Sequence, residues 1–108
     1  MIFPRDFLLI LDHIDALVLS YLINTHELLT SESRTTDDDW FRCSTGKMNS
    51  NLRLSEHQHR TILTRLVRKK LIQRKMVGNP AKRYFWINYD VLKSLLDEAI
   101  LRDTDDDS

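Results

Sequence analysis

The sequence is poor in cysteine, glycine and proline, and it carries no net charge. Among its 108 residues are one cysteine, two glycines and two prolines. One cysteine cannot form an intramolecular disulfide or a cysteine metal cluster, and so little glycine and proline excludes collagen-like and low-complexity chains. Glycine-rich phosphate loops, nucleophile elbows and zinc-protease motifs are missing as well. We therefore expect no enzyme activity, no metal site and no cofactor.

Long apolar runs are also missing. The run over residues 7–11 is followed by Asp12, His13 and Asp15, so no stretch approaches the roughly 18 apolar residues that a membrane span needs. No secretory signal is recognisable, and the length suits one domain with a single core. We expect no membrane partner and a cytoplasmic location, in the nucleoid if the source is bacterial, because an unpaired cysteine suits a reducing compartment.

The zero net charge is made of three unequal segments. Residues 1–39 carry −6, residues 40–89 carry +11 and residues 90–108 carry −5. Glu56 is the only acidic residue of the middle segment, against twelve lysines and arginines. Such a concentration indicates a polyanionic partner. The alternative is an ordinary solvated surface over which the acidic flanks fold back.

Apolar periodicity predicts a first helix over residues 14–26. This helix is apolar nearly all round, so it lies centrally in the core or is covered by a partner as well. Residues 29–39 have no periodicity and indicate a surface loop. Residues 40–43 favour a short strand, and Ser44 is placed to cap a short helix over residues 45–52.

A longer helix is predicted over residues 56–70, with Ser55 as its N-cap. Its apolar face holds Ile62, Leu63, Leu66 and Val67, and His59 falls among them. Its opposite face is polar and carries His57, Gln58, Thr61, Thr64, Arg65 and Arg68. One side of this helix suits a core and the other suits an anionic surface.

Two strands and a final helix follow. Residues 71–77 and 83–89 are β-branched and aromatic, and the connection over residues 78–82 contains glycine and proline, which is typical of a hairpin with a longer loop. A last helix begins near Asp90 as its cap and carries an apolar stripe over residues 91–100. We expect residues 103–108 to be an acidic disordered tail.

From residue 40 the predicted order is strand, helix, turn, helix, strand, basic loop, strand, helix, and it resembles a winged-helix DNA-binding domain. The resemblance lies in the turn and cap of residues 52–55, the helix of residues 56–70, its basic end with the entry strand at residues 68–72, and the loop with its return strand at residues 78–85. Together with residues 40–42 and 87–92, this is similar to winged-helix modules of phage and plasmid replication proteins. The glycine usual between the helix and the first strand is replaced by Lys69 and Lys70, and the turn before Ser55 lacks one too.

The resemblance implies an α+β fold, mainly helical: a winged helix-turn-helix with a β-hairpin wing plus extra N-terminal and C-terminal helices. Residues 1–102 would form one domain, with its winged-helix core at residues 40–92. It also implies double-stranded DNA as the partner, with residues 55–70 in the major groove and the basic wing of residues 78–83 on the backbone, in replication initiation or transcriptional regulation. The candidate DNA-binding residues are His57, Gln58, Arg60, Thr61, Thr64, Arg65, Arg68, Lys69, Lys75, Lys82 and Arg83.

Other interpretations stay open beside DNA binding. The domain could be a protein-interaction or dimerisation module that keeps the winged-helix shape without DNA contact, using its N-terminal and C-terminal helices for a homodimer. The aromatic group of Trp40, Phe41, Tyr84, Phe85 and Trp86 could stack single-stranded bases, although alternation puts one set of aromatics in the core. A metal site at His57 and His59 is disfavoured, because residues two apart on a helix point to different sides.

Overall fold

The computed structural model describes residues 10–105, and side chains over residues 10–101. In that part the chain forms four helices and three strands. We number them α1 (His13–Ser31), β1 (Phe41–Arg42), α2 (Thr45–Leu52), α3 (Glu56–Arg68), β2 (Ile72–Val77), β3 (Lys82–Ile87) and α4 (Tyr89–Asp105). The predicted α+β class is confirmed. Residues 1–9 lie outside the described residues, as does the end of the predicted tail at residues 106–108.

Helix α1 is longer than its apolar pattern predicted. It continues to Ser31, so residues 29–31, predicted as loop, are helical. Leu29 explains part of the extension, because its side chain packs against the core one turn beyond His26. The helix buries one face through Val18, Leu19 and Leu22. Its other face is not covered within the described chain.

The segment between α1 and β1 lies on the surface, as predicted, and is tied down at its end. Asp39 Oδ1 lies 2.8 Å from His26 Nε2. The other ring nitrogen of His26, Nδ1, lies 2.8 Å from the hydroxyl of Tyr89 at the start of α4. The His26 ring also packs against Phe41, with ring centroids 5.1 Å apart. This network joins the loop, α1, β1 and α4.

The three strands form one antiparallel sheet in the order β1-β3-β2. Phe85 in the central strand is opposite Phe41 on one side and Arg74 on the other. Phe85 and Ile87 are buried while Tyr84 and Trp86 are half-buried on the opposite face, so the predicted alternation is confirmed. β2 begins one residue later than predicted, and β3 covers residues 82–87 in place of the predicted residues 83–89. Each strand is therefore one residue shorter than predicted.

The predicted cap of the last helix is wrong. Asn88 caps α4: its Oδ1 accepts the N–H of Val91 at 3.2 Å and its carbonyl accepts the N–H of Leu92 at 3.1 Å. Asp90 lies inside the first turn instead. The helix runs to Asp105, so it includes residues 103–105 of the predicted tail. No glycine or proline interrupts this segment.

The end of α3 is a Schellman motif, two residues earlier than predicted. The N–H of Leu71 donates to Leu66 O at 3.1 Å and the N–H of Lys70 donates to Val67 O at 2.9 Å. Lys70 adopts the left-handed conformation with φ of 62° that this motif requires. Leu66 and Leu71 are fully buried on either side of it. Lysine therefore occupies the position that glycine usually fills.

The core lies between α1, α3 and the inner face of the sheet. Its largest buried side chains are Phe41, Phe85, Leu19, Leu22, Leu63 and Leu66. Cys43 is buried beside them, and this burial raises the pKa of its thiol to about 11. Among the described helices, none is both long and apolar enough to cross a membrane.

Candidate nucleic-acid interface

The start of α3 is fixed by a capping box. Ser55 Oγ accepts the N–H of Gln58 at 3.1 Å, and Gln58 Oε1 accepts the N–H of Ser55 at 2.9 Å. The predicted N-cap is thus confirmed, and its sequence signature is the serine with glutamine three residues on. The box also engages one lone pair of the side-chain oxygen of Gln58, which restrains this side chain, while its NH₂ group and the second lone pair remain available to a partner.

The outward face of α3 is polar over its whole length. His57, Gln58, Thr61 and Arg68 are exposed, and Thr64 is half-buried. The two threonine hydroxyls donate to the backbone one turn earlier, Thr61 to His57 O at 3.0 Å and Thr64 to Arg60 O at 2.8 Å. These hydroxyls are therefore oriented in advance, and their oxygens remain able to accept hydrogen bonds.

Arg65, a predicted DNA contact, holds α3 to α1. Its Nε donates to Asp15 Oδ2 at 2.9 Å and its Nη2 donates to Asp15 Oδ1. The Asp15 side chain is only 1% exposed, whereas that of Arg65 is 44% exposed. The hydrogen bond to Asp15 is the main cause that raises the pKa of Arg65. Much of the hydrogen-bonding capacity of Arg65 is used inside the fold.

A groove of about 430 Å³ runs between α3 and the hairpin of β2 and β3. Three arginines line it, Arg60 from the helix and Arg74 and Arg83 from the two strands, and the apolar residues Leu63, Met76 and Phe85 line it too. Arg74 Nη2 donates to Thr64 Oγ1 at 3.3 Å, which links the hairpin to α3. We call this feature the arginine groove.

The charge of the arginine groove is only partly neutralised. Arg60 Nη2 lies 2.7 Å from Glu56 Oε1, one helical turn away. Arg74 and Arg83 have no ion-pair partner within residues 10–101. Glu56 is the sole acid of residues 40–89. The groove therefore concentrates positive charge next to the polar face of α3.

His59 sits beneath the arginine groove. Its side chain is buried, as predicted, while His57 points to solvent, so these two histidines lie on different sides of α3. Asn49 Nδ2 lies 2.7 Å from His59 Nδ1, and Arg83 Nη1 lies 3.5 Å from His59 Nε2. Burial lowers the pKa of His59, and the charge of Arg83 lowers it further. A neutral ring with an unprotonated Nε2 can thus accept a hydrogen bond from Arg83 Nη1.

The remaining predicted residues lie apart from the groove or at its edge. Lys69 is exposed as the C-cap of α3, and Lys82 is exposed as the first residue of β3. Lys75 borders the groove, but its Nζ lies 4.1 Å from the ring centroid of Trp40. It therefore reaches toward the other face of the sheet.

Arg74 is the groove residue that the sequence-based prediction missed. It is separated from the buried Ile72 by one residue, so it shares the inward face of β2. Alternation along the strand could have identified it. Arg53 was missed as well: it is exposed, with a left-handed φ of 55°, in the turn between α2 and α3.

The described residues thus form one positively charged surface on α3 and the hairpin. Comparisons with protein-family models, with curated proteins and with solved structures gave no match to this chain. The function is therefore argued from the residues of this surface alone.

Proposed function

We propose that the chain is a winged-helix protein that binds double-stranded DNA, with α3 as the recognition helix and the hairpin of β2 and β3 as the wing. The order of elements supports this fold. A helix, a short strand and two further helices precede the hairpin, and β3 pairs with both β1 and β2. An α-helix fits the major groove of B-DNA, where side chains reach the base edges.

The observation that carries the proposal is the convergence of Arg60, Arg74 and Arg83 in the arginine groove. A guanidinium group binds a phosphate through two parallel N–H donors. With α3 in the major groove, a strand of the DNA backbone bordering that groove would pass along these arginines. Contacts of this kind set position and affinity, and base contacts from α3 would set sequence preference.

Base contacts fall to the exposed residues at the N-terminal half of α3. His57 and Thr61 are outward there, and Gln58 can donate through its NH₂ group to an acceptor such as N7 of a purine. A bidentate contact from Gln58 to adenine would use the oxygen that also accepts the Ser55 N–H, so this oxygen would have to accept a second hydrogen bond while the capping box restrains its direction. Arg65 contributes mainly by fixing the angle of α3 against α1.

The test is a titration of a fluorescently labelled random-sequence duplex, followed by anisotropy at several salt concentrations. Duplex affinity should fall steeply with salt, because neutralised phosphates release counterions. Arg74→Ala should weaken binding and reduce the slope of log K against log salt by roughly 0.9, the loss of one phosphate contact. Urea unfolding of the variant shows whether it remains folded.

Lys93→Ala is the matched control, because Lys93 is an exposed cation of α4, away from the arginine groove. It changes the net charge by the same amount and should leave duplex affinity nearly unchanged. Equal losses of duplex affinity in Arg74→Ala and Lys93→Ala would show that net charge alone causes the effect. No salt-sensitive binding at all would refute the proposed function.

A second candidate, a dimerisation module, is favoured by the outer face of α1. Ile14, Leu17 and Leu28 are 42%, 55% and 58% exposed, and their spacing puts them on one stripe with Tyr21. Exposed apolar side chains in such a row are typical of helix pairing. Sedimentation analysis decides: a dimer that Leu17→Glu dissociates supports this candidate, and a monomer at every concentration rejects it.

A further inference from the structure

The outer face of the sheet carries its own set of aromatic and cationic side chains. The register places Lys75 and Arg42 on either side of Tyr84, and Gln73 beside Trp86. Trp40 precedes Phe41, whose partner is Phe85, so Trp40 lies opposite Trp86 on the same face. We call this surface the aromatic sheet face; it consists of Trp40, Arg42, Gln73, Lys75, Val77, Lys82, Tyr84 and Trp86.

This face is accessible. Trp40, Tyr84 and Trp86 are each half-buried, while Arg42, Gln73, Lys75 and Lys82 are exposed. Within the described residues, neither the hydroxyl of Tyr84 nor the indole N–H of Trp86 has a hydrogen-bond partner. The inner face is different, since Phe41, Phe85 and Ile87 are buried in the core. The outer aromatics are therefore not needed to close the core.

The charge of the face is of one sign. Arg42, Lys75 and Lys82 alternate with the aromatic rings, and none of the eight residues is acidic. One cation is already in contact with a ring, since Lys75 Nζ lies 4.1 Å from the ring centroid of Trp40. The partner that fits must offer flat apolar surfaces together with negative charge at short intervals.

Unpaired nucleotides have this composition, because each offers a base that stacks on an aromatic ring and a phosphate that pairs with a cation. A duplex does not fit, since its bases are stacked on each other and its outside is phosphate. Tyr84 and Trp86 are two residues apart on one strand, about 7 Å by strand geometry. Successive bases of an extended single strand can therefore reach both rings.

We propose that the aromatic sheet face binds single-stranded DNA, with Tyr84 and Trp86 stacking bases and Arg42, Lys75 and Lys82 contacting phosphates. Stacking on this face does not depend on the arginine groove, which lies between the sheet and α3. The choice of DNA over RNA rests on the proposed duplex-binding function of the same domain. A molecule with both surfaces would hold a duplex beside an unpaired strand.

Tryptophan fluorescence can probe this face without an added label. It has two tryptophans, Trp40 and Trp86, and both lie there. An oligothymidylate of about 12 nucleotides should quench their emission in a saturable titration, because a stacked base contacts the indole directly. Tyr84→Leu should weaken binding about fivefold or more, and Tyr84→Phe should bind as the unchanged chain does, because it keeps the ring. Urea unfolding of both variants confirms that they are folded.

Arg74→Ala is the control on the other side of the sheet, and it should weaken duplex binding without changing the quenching by oligothymidylate. No quenching, or equal binding by Tyr84→Leu, would overturn the inference while leaving the duplex proposal standing. Quenching without any duplex binding would refute the duplex proposal alone. Equal or tighter binding of an oligouridylate would overturn the assignment to DNA. Loss of both duplex binding and oligothymidylate quenching in Arg74→Ala would overturn the inference of a separate surface.

Discussion

The guanidinium of Arg65 pairs with the carboxylate of Asp15 across 50 positions of the chain, and this pair fixes α3 against α1. The carboxylate is almost completely buried, so its charge depends on Arg65 for compensation. A buried charge that loses the ionic partner it has among the described residues is costly, and the arginine side of the pair keeps contact with water. Stability is therefore expected to depend on Arg65, and under the proposed function duplex affinity would depend on it through the angle of α3.

Arg65→Ala should lower the free energy of unfolding by about 2–3 kcal/mol. Breaking a buried ion pair costs about 3–5 kcal/mol, and the partial exposure of Arg65 reduces that figure. Urea unfolding measures it, with Arg68→Ala as the control, since Arg68 is exposed on the same helix and should change stability by no more than about 0.5 kcal/mol. Equal effects of the two substitutions would contradict the role given to Asp15.

Acid should destabilise the protein through His59. Its pKa in the folded chain is below the ordinary value of 6.5, because of burial and then Arg83. In the unfolded chain His59 takes up a proton as the pH falls through that ordinary value, while the folded chain resists protonation. Its contribution to stability is thus complete above 6.5 and is lost as the pH falls through the folded pKa.

His59→Gln should accordingly flatten the pH dependence of the urea midpoint, measured from about pH 8 to about pH 5. His57→Gln is the matched control: the neighbouring histidine is exposed, and its replacement should leave the profile of the unchanged chain intact. Profiles of the unchanged chain and His59→Gln that run parallel would rule out His59 as the source.

Lys70→Gly should raise the free energy of unfolding by about 0.5–1 kcal/mol. The left-handed conformation costs a residue with a Cβ about 1–2 kcal/mol, and the greater freedom of glycine in the unfolded chain offsets part of the gain. Lys69→Gly removes the same charge at a φ of −80° and should lower the unfolding free energy by about 0.5 kcal/mol. Thermal or urea unfolding compares the two. If both variants changed the unfolding free energy in the same direction, the backbone φ would not be what decides the effect.

Gln58 should tolerate glutamate better than alanine. A carboxylate still accepts the Ser55 N–H and is favoured at a helix N-terminus, so Gln58→Glu should keep or slightly raise stability, while Gln58→Ala should lose about 1 kcal/mol. Under the proposed function, duplex affinity should fall for Gln58→Glu, because its negative charge would repel the phosphates. A glutamate variant as unstable as the alanine variant would mean that the capping box contributes little.

Local patterns predicted the parts of the fold that local forces determine. Ser55 as a cap follows from its side-chain acceptor. The buried position of His59 on α3 and the placement of Phe85 and Tyr84 on opposite faces follow from the periods of the helix and strand. The start of α4 did not follow, because Asn88 and Asp90 are both good caps. The choice is made by the sheet: the N–H of Asn88 donates to Leu71 O at 2.8 Å, which places its side chain at the helix start.

The candidate site was predicted by residue type and only partly by role. The concentration of positive charge in residues 40–89 predicts an anion-binding surface on α3 and the hairpin. The capture of Arg65 by Asp15 depends on the packing of α1 on α3, and no local pattern reports a contact between residues so far apart. Arg74 was missed for a different reason: alternation from the buried Ile72 places it on the inner face of β2, but a cation in a strand is ordinarily solvated.

The burial of Cys43 gives the folded chain a chemical property that can be used as a measurement. A thiol whose pKa is raised to about 11 is almost entirely protonated at neutral pH, and the thiolate is the form that reacts with electrophiles. Because Cys43 is also only 5% exposed, alkylation of the folded chain requires the segment after β1 to open. The rate of alkylation reports how often that edge of the sheet detaches, without a label or a substitution anywhere in the molecule.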